Sequence, residues 1–327
     1  MSGKLRIGII GCGDFLRLRA ADLLSSRQVE VKLLYSPVNS ANAERYAEIF
    51  GVKAADSPEA IINDPEIDVV CVFVPPFVRK EYVLAAAKAG KQIVATKPLA
   101  ADLSDAREMT EAVEQAGVRC GVIYRRTNNP VIEAYKEIFS GGEFGKLALY
   151  KQDWLHHYPT WNRWATDPKK NGGPFMDAML HNLNAARYLM GRRVVGRAFF
   201  SDDHTHSLAC DDTQFLKVDF EQGASAHLFI TWAAELAVYD SAKNDREHID
   251  QCFMVTDQGW LFRNEIREGK AVITATRNGL EKDFPVIPFE ETFFDRYAKK
   301  IKNRDILPAD LPDIREAYED LRILLEN

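Results

Sequence analysis

Short apolar runs alternate with segments of helical period through the first 124 residues, and the pattern changes character beyond them. Runs at Leu5–Ile10, 30–35, 68–74, 92–95 and 118–124 read as strands. Between them, 41–50, 78–89 and 103–116 carry helical spacing and stop at Gly51, Gly90 and Gly117, the residue type that ends helices in left-handed backbone. Ser57-Pro58-Glu59 reads as another helix start, with Ser57 as cap and Pro58 in the first helical position. The strands are apolar along their length, as strands are when helices cover both faces of a parallel sheet. With strand and helix alternating and no evident hairpin, this half is predicted to be a doubly wound α/β sheet.

From residue 146 onward the period shortens to two. Strands are predicted at 146–155, 194–201, 213–220, 224–232, 251–256, 260–263 and 271–276. Phe215-Leu216-Lys217-Val218-Asp219-Phe220 alternates cleanly, and Glu221-Gln222-Gly223 and Asp257-Gln258-Gly259 fit hairpin loops. Long helices are expected only at 130–139, 174–190 and 290–301, with an amphipathic final helix at 312–325 that packs back on the body. The second half therefore reads as an α+β domain with a largely antiparallel open sheet. The expected division is 1–124 and 125–327, with the last helix free to pack back on the first domain.

The link between the first strand and its helix is Gly11-Cys12-Gly13, followed by Asp14, Phe15 and Leu16. A glycine turn between a strand and a helix N-terminus is where backbone N–H groups receive a pyrophosphate, so this stretch is the candidate cofactor contact of a Rossmann domain. Gly11 makes the turn and Gly13 lets backbone approach the phosphates, while Leu16 stands where a third glycine is usual. The end of the second strand, Leu34-Tyr35-Ser36-Pro37-Val38-Asn39, lacks the carboxylate that takes the 2′-hydroxyl of NAD. Ser36, with Arg17 or Arg19 as a cation, favours NADP, and NAD stays open.

Composition narrows the classes. A length of 327 residues suits two domains, and 46% hydrophobic with 28% charged residues is the balance of a soluble globular protein. A net charge of −6 argues against nucleic acid or an anionic membrane as the main partner. The longest apolar run, 69–74, is far short of a membrane span. Met1-Ser2-Gly3-Lys4 leads directly into the first strand and leaves no room for a signal peptide. Five scattered cysteines without Cys-x-x-Cys spacing point to the cytoplasm and to no cysteine-type metal site.

Two further segments carry chemistry. Lys91-Gln92-Ile93-Val94-Ala95-Thr96-Lys97-Pro98-Leu99-Ala100 ends a strand at the carboxyl edge of the sheet, where open α/β sheets bind ligands. Asn171-Gly172-Gly173-Pro174-Phe175-Met176-Asp177-Ala178-Met179-Leu180-His181 opens the long helix of the second half. The first resembles the Glu-Lys-Pro segment of the glucose–fructose oxidoreductase / inositol dehydrogenase / MocA (Gfo/Idh/MocA) family, and the second resembles that family's Gly-Gly-x-x-x-Asp-x-x-x-His helix. The similarity extends through the glycine turn, Pro75-Pro76 and Tyr124-Arg125-Arg126 with Pro130. Departures are Leu16, Thr96 in place of Glu, Arg79 where a histidine commonly follows Pro-Pro, and Asn184 in place of Asp. The resemblance implies an NAD(P)-dependent oxidoreductase of sugars, cyclitols or related polyols, with cofactor contacts at Pro75, Pro76, Lys97 and Pro98. It also implies a homodimer or homotetramer built on the open sheet.

Hydride transfer from a carbinol needs a bound cofactor, a base for the hydroxyl proton and a positive group beside the developing alkoxide. His181 suits the base, because imidazole titrates near working pH. Asp177, four residues earlier, can act with it or on the substrate. Lys97, which in family members meets substrate hydroxyl and nicotinamide ribose, is the electrostatic or general-acid group. The candidate catalytic residues are thus Lys97, Asp177 and His181. Arg126 is a substrate-contact candidate, as are Trp161 and Trp164 in the aromatic segment 154–164, whose rings and donors suit a polyol. His204-Thr205-His206 after Asp202-Asp203 is expected to be a solvated loop rather than a metal site. Two other functions remain open on the same fold: a sensor that binds sugar or dinucleotide without turnover, and an NAD-dependent glycosidase.

Overall fold

Six short strands make the first sheet: β1 (Leu5–Ile10), β2 (Val29–Tyr35), β3 (Lys53–Ala54), β4 (Val69–Val72), β5 (Gln92–Thr96) and β6 (Cys120–Ile123). The computed structural model describes residues 3–160, 164–236, 248–302 and 311–326. Every pair in this sheet is parallel, in the order β3-β2-β1-β4-β5-β6. The order reverses between β1 and β4, and in sheets of this kind the ligand crevice lies outside the carboxyl ends at that switch point. Ile9, Val70 and Val94 are fully buried on the central strands, each worth about 1.5–3 kcal/mol of burial.

Helices α1 (Asp14–Ser25), α2 (Ser40–Phe50), α3 (Pro58–Ile62), α4 (Lys80–Lys88) and α5 (Leu103–Gln115) connect these strands. Three begin on polar caps, of which the sequence predicts Ser57: the side chains of Asn39, Ser57 and Asp102 accept from the backbone N–H of Asn42, Ala60 and Asp105. Gly51 closes α2 in left-handed backbone at φ +68°. The two-residue β3 was not among the predicted strands.

The chain forms two compact units, Met1–Asn128 with Phe289–Asn327, and Asn129–Pro288. The whole last segment, residues 289–302 included, belongs to the first unit, whereas the sequence pattern allowed this only for the final helix. The cause is apolar: Phe293, Phe294 and Tyr297 of α8 (numbered in chain order; Phe293–Lys302) are part of the first unit's core. The Tyr297 hydroxyl donates to the Ile93 carbonyl at 2.6 Å, and a Cβ at Gly121 would lie 2.8 Å from the Tyr297 ring. Asp313 bridges to Gly121, and Val122 N–H donates to the Pro312 carbonyl at 2.7 Å, so the open edge of β6 is covered. The final helix, α9 (Ile314–Leu325), is capped by Asp313.

The second unit holds α6 (Pro130–Ser140), α7 (Leu180–Met190) and an eight-stranded sheet. Its strands are β7 (Leu147–Leu155), β8 (Val194–Asp202), β9 (Thr213–Phe220), β10 (Ala224–Thr231), β11 (Ile249–Thr256), β12 (Leu261–Arg267), β13 (Lys270–Arg277) and β14 (Leu280–Pro285). The order is β14-β13-β12-β11-β7-β10-β9-β8, with β7 and β10 parallel and the remaining pairs antiparallel. Strand β14 was not anticipated. The turn before it, Asn278-Gly279, has φ of +48° and +79°, the paired left-handed geometry of a two-residue hairpin.

Candidate functional site

Gly11 leaves β1 at φ +108°, and its N–H donates to the Tyr35 carbonyl at 2.8 Å. A Cβ here would sit 2.6 Å from both the carbonyl carbon and oxygen of Phe73, so the turn can pass the end of β4 only as glycine. Gly13 caps α1 with no side-chain partner, is exposed, and a Cβ on it would meet nothing within 4 Å. A helix N-terminus with exposed backbone and open space before it suits an anionic ligand. Asp14 is exposed and pairs with Arg17 at 3.4 Å, and Phe15 packs edge-on against Phe73. The Leu16 side chain is fully buried in the core, which leaves only its backbone N–H in the first turn of α1 to face a ligand.

The other first-unit candidates gather at the same edge of the sheet. Ser36, half-buried, follows β2; Pro75 and Pro76 follow β4; Lys97 and Pro98 follow β5. Lys97 is half-buried between two buried neighbours, Thr96 and Pro98, and its N–H donates to the Ile123 carbonyl at 3.3 Å. The Lys97–Pro98 peptide bond is cis. Of the cations considered near the ribose, Arg19 pairs with Asp22 at 3.0 Å, whereas Arg17 is two-thirds exposed beside Asp14. Burial raises the Tyr46 hydroxyl on α2, and the charges of Arg45 and Arg17 oppose that rise.

In the second unit, Gly172 and Gly173 adopt φ of +82° and +102°. Phe175 N–H donates to the Gln214 side chain at 2.8 Å, and a Cβ on Gly173 would lie 3.3 Å from that amide, so the helix begins hard against β9. Its first turn, Phe175–Met179, is π-helical before α7 takes over. Such widened turns recur at functional sites. From Gly173 to Ala186 every residue is buried except Asp177 and His181.

The aromatic segment separates into parts. Trp161 lies outside the described residues, and Trp164 is half-buried. Trp154 and His156 are buried; burial pushes the His156 imidazole down to about 4, which keeps it neutral at working pH, and its Nε2 has no partner among the described residues. His157, Tyr158 and His206 are half-buried and form one ring cluster, with centroids 4.2–5.1 Å apart. Glu235 joins them at 3.5 Å from His157 and 3.9 Å from His206, and ligand-type atoms of His157, His206 and Glu235 lie within 4.8 Å of one another. His157 Nδ1 faces the Tyr158 carbonyl at 2.9 Å and His206 Nε2 the Trp232 carbonyl at 3.0 Å, so each of those nitrogens carries its proton. This grouping was missed in the sequence, because 157, 206 and 235 are distant along the chain. The 204–206 turn is held by Asp212, which accepts all three backbone N–H groups at 2.9–3.2 Å.

Arg126 is held inside the first unit. It sits in a short 3₁₀ turn (Arg125–Asn128), is 1% exposed, and pairs with Glu316 of α9 at 3.0 Å. Its guanidinium ties that turn to α9.

Comparison with known proteins bears on both units. Residues 5–124 match the model described as "Oxidoreductase family, NAD-binding Rossmann fold", and residues 132–245 match the "GFO/IDH/MocA C-terminal domain". The chain belongs to the Gfo/Idh/MocA oxidoreductase family. Within that family it is 24% identical over 313 residues to scyllo-inositol 2-dehydrogenase (NAD(+)) of Bacillus subtilis, covering 93% of this chain and 86% of that protein. It is 27% identical over 306 residues to myo-inositol 2-dehydrogenase of Thermotoga maritima, covering 91% and 86%. Among solved structures, aldose-aldose oxidoreductase from Caulobacter crescentus superposes with a TM-score of 0.83 at 19% identity, over 98% of this chain and 95% of that one. The family's NAD-binding fold fits the open glycine turn described above. Cysteine chemistry is not part of this Gfo/Idh/MocA chain's candidate site: burial raises all five free thiols, Cys12 and Cys120 to about 12 and Cys210 to about 11. Among the described residues no helix is long and apolar enough to cross a membrane.

Proposed function

We propose that this protein is an NAD(P)-dependent oxidoreductase that transfers a hydride between a nicotinamide and a secondary hydroxyl or carbonyl of a cyclitol, sugar or related polyol. The observation that carries the reading is the half-exposed pair Asp177 and His181 in a stretch, Gly173 to Ala186, that is otherwise buried, in a family chain whose other unit is an NAD-binding Rossmann fold. Inositol dehydrogenases among its relatives favour a cyclitol.

The dinucleotide, when bound, supplies the hydride acceptor. Gly11, Gly13 and the N-terminus of α1 hold its phosphates, and Pro75, Pro76 and Pro98 border it. His181 takes the hydroxyl proton at a ring nitrogen, and Asp177 orients that ring or holds a neighbouring hydroxyl. The Lys97 ammonium steadies the negative charge that develops on the substrate oxygen. Trp164, Tyr158, His157 and His206 offer the stacking faces and donors that a polyol needs.

The preferred cofactor is NADP. No carboxylate follows β2, and Arg17, two-thirds exposed on the first turn of α1, offers a cation. A homo-oligomer through the second sheet is supported by its exposed apolar side chains, among them Phe200, Ile266 and Leu280. Five free cysteines support a reducing compartment, the cytoplasm. Thermal unfolding with saturating NADP, NAD or neither tests the foundation: a rise in Tm, larger for NADP, is expected, and no rise with either dinucleotide contradicts it.

A further inference from the structure

Two arginines of the first unit are buried to 1% exposure, and they are held differently. Arg126 has a carboxylate, Glu316. Among the described residues Arg79 donates only to neutral oxygens: Nη1 to the carbonyls of Thr96 at 2.5 Å, Leu99 at 3.1 Å and Pro98, and Nη2 to the Val74 carbonyl and the Thr96 hydroxyl, both at 2.7 Å. Burial without a counter-ion pushes this guanidinium down to about 9. A buried cation is costly unless its geometry does something that a neutral side chain cannot. Here the rigid donor fork reaches the carbonyls of one turn from several sides at once. Thr96, Pro98 and Leu99 flank Lys97, and of 96–99 only Lys97 keeps part of its surface.

We propose that Arg79 is the positioning residue for Lys97: with the Thr96 hydroxyl as its second anchor, its guanidinium ties the 96–99 turn to the end of β4 and fixes the direction in which Lys97 leaves the sheet. This rests on the reading of Lys97 as the group that meets the substrate oxygen. A misplacement of that ammonium by a fraction of an ångström weakens charge stabilisation in the transition state more than it weakens binding.

The test is a double-mutant cycle on the full-length protein. Arg79→Lys, Thr96→Val, Lys97→Ala and the Arg79→Lys/Lys97→Ala double variant are assayed with NADP and NAD on myo-inositol, scyllo-inositol and D-glucose, beside Tm. Arg79→Lys is expected to lower kcat about tenfold with KM moved less than about threefold. On the Lys97→Ala background the same change is expected to cost nothing further, because Arg79 acts through Lys97. Thr96→Val keeps the carbonyl contacts and is expected to lower kcat by about threefold, which covers the case in which Arg79→Lys fails to fold. Equal losses on both backgrounds, or an unchanged kcat in both Arg79→Lys and Thr96→Val, would overturn the proposal.

Amide hydrogen exchange reads the clamp without substrate. Faster exchange at Thr96, Lys97, Leu99 and Ala100 in Arg79→Lys or Thr96→Val, at unchanged Tm, supports it, and unchanged exchange overturns it. If Lys97→Ala leaves turnover intact while exchange still responds to Arg79→Lys, the chemistry assigned to Lys97 fails and the positioning role falls with it.

Discussion

Asp177 and His181 lie four residues apart on one helical stretch, and they are its two half-exposed side chains between Gly173 and Ala186. The glycine pair before them allows the stretch to start against Gln214, and the π turn carries it into α7. Because both side chains reach the surface from a packed backbone, changing them should alter chemistry more than stability. Asp177→Asn is expected to lower kcat by about 10–100-fold, with Tm within a few degrees of wild type. Steady-state kinetics beside calorimetry decide it; a large loss of Tm would make Asp177 a packing residue.

The two glycines of the first turn should respond oppositely to alanine. At Gly11 the new Cβ meets the Phe73 backbone at 2.6 Å in left-handed φ, so Gly11→Ala is expected to cost about 3 kcal/mol in urea unfolding. At Gly13 the Cβ enters open space at φ −95°, so Gly13→Ala should keep stability within about 1 kcal/mol. Its dinucleotide affinity should nevertheless fall about tenfold or more, because the methyl occupies room kept for phosphate. Titration of NADPH fluorescence separates the two effects.

Asp295 joins the C-terminal segment to the first sheet. It is buried, and it accepts from the Ser26 hydroxyl at 2.5 Å and from Arg27 and Gln28 N–H at 3.0 Å each. Burial would raise this carboxyl, but those bonds outweigh it and hold it below its ordinary range. A depressed carboxyl contributes stability that is fully present above the unfolded pKa of about 3.9 and is lost as pH falls through the folded one. Asp295→Asn is therefore expected to cost about 2 kcal/mol at neutral pH. The gap from wild type should close as pH drops below about 4. Chemical unfolding across pH measures this; a gap that widens in acid contradicts it.

Much of this was legible in the chain because the signals are local. Leu5–Ile10, the glycine stops of the helices and the cap at Ser57 depend on near neighbours, and the alternation of strand and helix then points to a parallel sheet. The failures are long-range. Phe293, Phe294 and Tyr297 read as an ordinary amphipathic helix of the second domain, and only contact with the first sheet reveals where they belong. The pairing of Arg126 with Glu316, far along the chain, was likewise invisible in the sequence. The hairpin at Asn278-Gly279 was a missed local signal: that dipeptide alone announces a tight turn, and β14 follows from it. Arg79 and Thr96 were recognised separately as departures, and their contact appears only once β4 and β5 lie side by side.

Cofactor preference offers a further check. Removing the exposed cation by Arg17→Ala should weaken NADP by about tenfold and leave NAD within about twofold, since a 2′-phosphate contact is charge-assisted and a 2′-hydroxyl contact is not. Parallel titrations at fixed ionic strength measure the ratio. An equal effect on both dinucleotides would assign Arg17 to the pyrophosphate or to Asp14 alone.

The central claim is that this protein oxidises a polyol through His181. Its most direct measurement is nicotinamide reduction by wild type and His181→Ala, side by side, on scyllo-inositol, myo-inositol and a panel of aldoses with NADP and NAD. The account predicts turnover of at least one cyclitol or sugar by wild type, and a loss of about 10²–10⁴-fold in His181→Ala with dinucleotide affinity unchanged. Dinucleotide binding without reduction by any polyol, or equal rates in the two proteins, would contradict it.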